Sequence, residues 1–401
     1  MAEPESGKVE RVDPNALPAV DASKRVGVNA LHPVLVISNV AWDSIWQRHQ
    51  TIAELFARGR DVIFCEIPGV RAVGWADLGR VFRRLRALRQ PAPADLPPRL
   101  RLLRPFVLPA TNAWFCAFND WQMQRLVAGE PALGAGVELI FNYPVARTAL
   151  QLIARVPHRR LVFDCTDDLP AVRGVPAFFA DDEKRLLQQA DLTLVPSRVL
   201  AERKAPLARR CVRLPHGALV ERFLLPPKPA PADGRLTLLY YGHLHRQHLD
   251  FAMLDALARA RPRWRVILVG PVVTPHAWPA NVELPGRQPH GQLRDFAAQA
   301  DVLLLPYAIN HYTQAVSPAK TYECLATGRP VVAAPLPELL AELSGHLRFA
   351  IEADAWVRAV ELAVAADTPA AREARVAVAR ANSWAARFAE LQALLQALEA
   401  T

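Results

Sequence analysis

The chain has 401 residues, half of them hydrophobic, with 48 Lys and Arg against 39 Asp and Glu and a net charge of +9. That length suits two ordinary domains, each able to bury a core, and the composition excludes a wholly disordered or collagen-like chain. The five scattered cysteines contain no C-x-x-C pair, which argues for free thiols and against a metal site, and no stretch of 18 apolar residues is present to span a membrane.

Residues 1–31 mix charge, proline and small side chains, show no apolar signal-type run before Val34, and are expected to be a disordered tail. PVLVIS (33–38) reads as a buried strand, Trp46–Arg58 as the following helix and DVIFCE (61–66) as the next strand. Later strands are expected at Val137–Phe141, Arg160–Phe163 and Leu192–Val195. This alternation predicts a parallel α/β domain over 32–225. The proline-rich PPKPAPADGR (226–235) reads as a linker. A second alternation fills 236–375. Its strands are Leu236–Tyr241, Trp264–Val269, Val302–Pro306 and Pro330–Ala334, and its helices Asp250–Arg261, Arg294–Gln299 and Ala319–Ala326. A long Ala- and Leu-rich helix is expected from Pro369 to Ala400, with 376–401 packing back on the first domain. The fold class is therefore α/β, two Rossmann-like domains whose interdomain cleft receives ligand at the carboxyl ends of the strands. One large α/β domain is the alternative.

Two motifs in the second half carry chemistry. Tyr241 to His248 (YGHLHRQH) follows a strand and precedes a helix. A glycine there lets the backbone approach a ligand, and basic side chains at a strand end meet phosphate. The plainer reading is a charged surface turn. In SPAKTYE (317–323), Pro318 is preorganised for a helix start and Ser317 is a candidate N-cap. A helix start binds anions, and Lys320 adds a cation where the helix dipole does not favour one. Glu323 lies three residues on, placed to accept hydrogen bonds from ribose hydroxyls. A capped surface helix is the alternative.

These stretches resemble the donor-binding domain of GT-B glycosyltransferases, in the large retaining family that builds bacterial exopolysaccharides, and within it the teichuronic-acid-type branch. The resemblance runs through YYGHLHRQHLD (240–250), PRWRVILVGP (262–271), NVELPGRQPHGQLRDFAAQADVLLLPY (281–307) and SPAKTYECLATGRPVVAAPLPEL (317–339). It extends more weakly to SNVAWDSIWQRHQTIAELFARGRDVIFCE (38–66), LVFDCTDDL (161–169), ADLTLVPSRVLAERK (190–204) and LPHGALVERF (214–223). It implies donor contacts from Gly242, Arg246, His248 and Arg287, and from Ser317, Pro318, Lys320 and Glu323. It implies an acceptor side at Trp46 and Arg48. The broad family places a glutamate eight positions before Glu323, where this chain has Ala315, which puts sugar recognition in doubt; the S-P-x-K arrangement of the branch is present. His216 and Leu219 also replace a usual Asn and Asp.

In DCTDD (164–168) three carboxylates crowd a strand end, a repulsive arrangement that functional sites tolerate. The resemblance points to Asp167, then Asp168, as the acid facing the acceptor. The alternatives are that Asp168 merely caps the next segment, or that these acids hold a divalent metal, against which the resemblance speaks. Between Arg80 and Arg104 there are eight Arg and one Asp. Arg80, Arg83, Arg84 and Arg86 lie opposite Val81, Phe82, Leu85 and Leu88 on a helical wheel, a pattern fit for an anionic membrane surface. A helix packed on its own domain is the alternative. The aromatic interleaving of single-strand nucleic-acid binders is missing, so no nucleic-acid partner is expected. The reading is a metal-independent, retaining transferase of bacterial surface polysaccharide synthesis, without a cofactor. It would move sugar from a nucleotide sugar to a glycan or lipid-linked acceptor. It would sit in the cytoplasm, peripheral on the inner face of the plasma membrane. A non-catalytic partner of the same fold and a nucleotide-sugar epimerase are the alternatives.

Overall fold

The computed structural model describes residues 32–44, 46–67, 93, 96–110, 112–169, 178–229, 231 and 233–398. The described residues divide into two compact units, one within 215–391 and the other within 32–214 together with 392–398. The first-half unit holds strands β1 (Val34–Ser38), β2 (Val62–Glu66), β3 (Leu100–Leu103), β4 (Val137–Asn142), β5 (His158–Asp164), β6 (Leu192–Val195) and β7 (Cys211–Arg213). They form one parallel sheet in the order β3-β2-β1-β4-β5-β6-β7. β1 sits centrally with Val34, Leu35, Val36 and Ile37 fully buried, as expected of a strand covered on both faces. Helix Arg48–Ala57 follows it, as the sequence pattern predicts.

The second-half unit repeats the plan with β8 (Thr237–Tyr241), β9 (Arg265–Val269), β10 (Val282–Gly286), β11 (Val302–Leu305), β12 (Val331–Ala333) and β13 (Arg348–Phe349), in the order β10-β9-β8-β11-β12-β13. All pairings are again parallel. Leu238, Leu239, Ile267, Leu268, Leu303, Leu304 and Val332 build its core. In both sheets the strand order reverses beside the first strand, β1 or β8, and such reversals open the crevice in which ligands bind. Local chemistry sets several helix starts: Asn112, Ser197, Asp250 and Thr368 each accept from a backbone N–H three residues on.

The proline-rich run lies within the second-half unit. Arg329 donates to the Pro226 carbonyl at 3.0 Å, Arg372 to that of Lys228 at 3.1 Å, and Lys228 pairs with Asp301 at 2.7 Å. The long terminal helix is in fact two, Pro369–Ala381 and Trp384–Ala397. Backbone bonding to another segment breaks it: the N–H of Ala218 donates to the Asn382 carbonyl and that of Trp384 to the Ala218 carbonyl. Gly217 permits this approach, because a Cβ there would stand 2.7 Å from the Trp384 ring. The end of the second helix is held by Arg160, which donates to the Leu398 carbonyl at 2.6 Å.

Candidate functional site

At the carboxyl end of β8 the chain turns at Gly242, with φ of 142°, a region open to glycine and strained for other residues. A Cβ on Gly242 would stand 2.3 Å from Lys320 Nζ and 2.6 Å from the Tyr240 hydroxyl. At the end of β9, Gly270 has the same φ, and a Cβ there would stand 1.9 Å from the Gly242 carbonyl oxygen. Two glycines thus bring two strand-end loops and a lysine into a space that side chains would fill. The 242–250 loop is bound to the loop after β11 through Asp250 N–H to Pro306 O (3.0 Å), Ala308 N–H to His248 O (2.9 Å) and Asn310 Nδ2 to Gln247 O (2.8 Å).

Lys320 Nζ donates to the Tyr240 hydroxyl at 3.1 Å and lies 4.5 Å from the Tyr240 ring centroid and 5.8 Å from that of Tyr307. Two aromatic faces therefore hold the ammonium without neutralising it, and a cation on such a face gains about 1 kcal/mol. Burial pushes Tyr307 up to about 12, Lys320 pulling the other way, so both tyrosines stay neutral donors at ordinary pH. Glu323 faces a different pair: Tyr241 donates to one carboxylate oxygen at 3.3 Å and His290 Nε2 lies 3.2 Å from the other. His243 is held below the usual histidine range by desolvation, then by the charges of Lys320, Arg287 and His245.

Gly242, Lys320 and Glu323 therefore gather about Tyr240 and Tyr241, while Arg287 bears on the same place as a charge that lowers His243. Arg246 does not join them: its guanidinium lies 3.4 Å from His276 and 5.5 Å from the Phe251 ring. His248 stacks on Tyr312, ring centroids 5.3 Å apart. Ser317 is no cap. The helix begins at Thr321, after a turn in which Thr321 N–H donates to the Pro318 carbonyl, and Lys320 holds the N-cap position. Ala315 is buried in a 3-10 turn, Thr313–Ala315. The sequence reading held His243 within the 241–248 motif without singling it out, and missed Tyr240, Tyr307 and His290. The signal for His243 was its place directly after Gly242, whereas the tyrosines read only as strand residues.

In the other unit, the crowded acids find separate partners. Asp164 is buried, with Arg48 Nε 2.6 Å away; burial raises its carboxyl above the usual range and Arg48 pulls it down. Arg48, expected on the acceptor side, is itself buried at 4% exposure, because Asp164 holds it inside. Trp46 packs edge-on against Trp42 and donates to Thr51 Oγ1 at 2.8 Å. His49 stacks on Tyr143 and bonds Ser38 Oγ at 2.9 Å. Asp168 is bound by Arg203 at 2.6 Å and Lys204 at 2.9 Å. Burial alone would raise it, yet these two cations hold its carboxyl below the usual range. That makes Asp168 an anchor of the helix Arg198–Lys204, while Asp167 lies exposed at the bend. Arg80, Arg83, Arg84 and Arg86 lie outside the described residues. The described part of that basic run is paired: Arg99 with Asp61, Arg101 with Glu130, and Arg104 with Asp43 and Glu66. Among the described residues no group of three His, Cys, Asp or Glu side chains is arranged to hold a metal.

Residues 235–366, the segment containing the Gly242–Lys320 cluster, match the family model for Glycosyl transferases group 1. Over 171 residues the chain is 29% identical to a protein assigned as a teichuronic acid biosynthesis glycosyltransferase, TuaH of Bacillus subtilis (strain 168). That match covers 39% of this chain and 43% of the relative, so the chain spans less than half the length of the curated relative it matches. Sucrose-phosphate synthase from Thermosynechococcus elongatus superposes with a TM-score of 0.68 at 17% identity, over 92% of this chain and 99% of that one. Anabaena Alr3699/HepE, in complex with UDP-glucose, superposes with a TM-score of 0.62 at 13% identity, over 91% and 99%. At these identities the structural likeness shows the fold alone, and that fold is GT-B: α/β with two parallel sheets.

Proposed function

We propose that this chain, a GT-B-fold protein with a group 1 glycosyl transferase domain over residues 235–366, transfers a sugar from a nucleoside diphosphate sugar to a glycan or lipid-linked acceptor. The observation that carries the reading is the side-chain-free bend at Gly242, at the end of β8, with Lys320 Nζ lodged against it and bonded to the Tyr240 hydroxyl, and with His243 beside it kept neutral by burial and by the charges of Lys320 and Arg287. This is a cationic cradle at the switch point of a parallel sheet, with a carboxylate, Glu323, beside it. Such a cradle suits a diphosphate, and the paired oxygens of Glu323 suit two ribose hydroxyls. As the sugar leaves, charge grows on the diphosphate, and preorganised cations in a dry site stabilise it by several kcal/mol. Lys320 and Arg287 would supply that stabilisation, and activity would not need a metal. The anomeric configuration would be retained, as the family resemblance implies.

The solved HepE bound to UDP-glucose makes a UDP-sugar the first donor to try, and the likeness to TuaH favours bacterial surface polysaccharide synthesis. Asp167, exposed at the end of β5, is the acid we place toward the acceptor; Asp168 would hold its loop through Arg203 and Lys204. The test is incubation with nucleoside diphosphate sugars and candidate acceptors, read by mass spectrometry. A glycosylated acceptor with release of nucleoside diphosphate supports the reading. An epimerised donor or an unchanged mixture across the panel overturns it, the latter being the outcome for a non-catalytic partner whose Ala315 marks lost activity.

A further inference from the structure

Helix Ala113–Gly129 buries one side and leaves the other unusually apolar. Asn119 and Met123 are fully buried, and Leu126 and Val127 pack on the core. Asn119 fixes the helix's rotation: its amide donates to the Leu108 carbonyl at 2.7 Å and to Thr148 Oγ1 at 3.0 Å, and accepts from Leu108 N–H at 2.7 Å. The opposite side holds Trp114, Phe118, Trp121 and Arg125, spaced by four, three and four residues and so aligned on one face. Trp114 is 86% exposed and Trp121 47% exposed. Phe118 packs on Phe106 at 6.0 Å and on Trp121 at 5.8 Å, and the Arg125 guanidinium lies 5.0 Å from the Trp121 ring centroid. The face between them is completed by exposed Ala117 and Ala128 and carries no carboxylate; Asp120 points elsewhere, to Arg155 at 2.6 Å. A surface helix ordinarily turns charge to water on this side. Contiguous exposed aromatic surface marks an interaction site, since ordering two tryptophans in water gains nothing for the isolated fold.

From this geometry we infer that the Trp114–Phe118–Trp121–Arg125 face docks on the surface of an anionic lipid bilayer. Tryptophan settles at the depth of lipid headgroups, where its ring is shielded and its N–H stays hydrated, and arginine beside it meets phosphate. The charge agrees: the face has a cation and no acid, on a chain with a net charge of +9. The attachment lies on the surface, since no described helix is long and apolar enough to cross a membrane. The inference does not depend on the glycosyl-transfer reading, and its test uses no substrate.

The experiment is co-sedimentation of the full chain with vesicles of equal parts phosphatidylglycerol and phosphatidylcholine, at low salt. Tryptophan quenching by brominated acyl chains serves as a second readout. Wild type should pellet with these vesicles and be quenched, and should bind pure phosphatidylcholine more weakly. The double variant Trp114→Ala/Trp121→Ala should lose about tenfold or more in partitioning. Ala117→Glu, which puts an acid on the same face without removing any packed side chain, should do likewise and guards against a folding defect. Wild type remaining in the supernatant overturns the inference, as does binding unchanged in both variants. So does a wild-type dimer in sedimentation velocity that Ala117→Glu turns into monomer while vesicle binding is absent, because a second copy would then cover the face.

Discussion

Lys320 is held by aromatic faces and one hydroxyl, and among the described residues no ion pair joins it to an acid, an arrangement that leaves its charge for a ligand. Lys320→Ala should therefore lower turnover about tenfold or more, with Lys320→Arg milder because charge is kept while geometry changes. Glu323→Ala should raise the donor Kd, and the Tyr241 and His290 groups that hold it would lose a shared acceptor. Gly242→Ala is expected to do both kinds of harm. Its Cβ would meet Lys320 Nζ at 2.3 Å, and its φ of 142° costs a non-glycine residue about 1 kcal/mol or more. A lowered Tm together with weakened donor binding would be the measured signature. Gly242, Lys320 and Glu323 were legible in the sequence because a glycine after a strand and a cation near a helix start are local signals. Tyr240, Tyr307 and His290 were not, because their role arises only when β8, the β11 loop and the segment after β10 meet in space. Arg246 misled for the same reason: a basic residue in the right loop can still point toward His276.

At the scale of elements, the central strands were readable as continuous apolar runs, and the edges were not. β3 is LRLL with only Leu100 buried, and β10 (VELPG) carries a proline and a register shift. Helix Ala113–Gly129 escaped notice because apolar residues surround it and erase the helical period. The joint between helix Arg48–Ala57 and β5 rests on the buried Arg48–Asp164 pair. Asp164→Asn should destabilise the protein by about 3–5 kcal/mol by removing the buried carboxylate that balances the Arg48 charge, as denaturant unfolding would report. On the same helix, burial and then the Arg48 charge lower His49 from 6.5 to about 3. The folded state then stays neutral at His49 where the unfolded chain takes up a proton. The stability contribution is complete above pH 6.5 and is lost as the pH falls toward 3, at about 1.4 kcal/mol per pH unit. Unfolding free energies between pH 6.5 and 4 should fall less steeply in His49→Gln than in wild type; parallel slopes would contradict this.

For the molecule as a whole, two sheets of one strand order and the Lys320 ammonium lodged against the glycine bend at the end of β8 make the second-half unit the expected seat of donor binding. On the proposed reading, basic side chains rather than a divalent ion would neutralise the diphosphate, so turnover should persist in excess chelator; complete loss restored by Mg²⁺ or Mn²⁺ would count against it. The central claim is tested most directly by calorimetric titration of a panel of nucleoside diphosphates into wild type and Lys320→Ala. The account predicts saturable binding of at least one nucleoside diphosphate to wild type, weakened about tenfold or more by Lys320→Ala. No binding across the panel, or equal affinity in the two proteins, would contradict it.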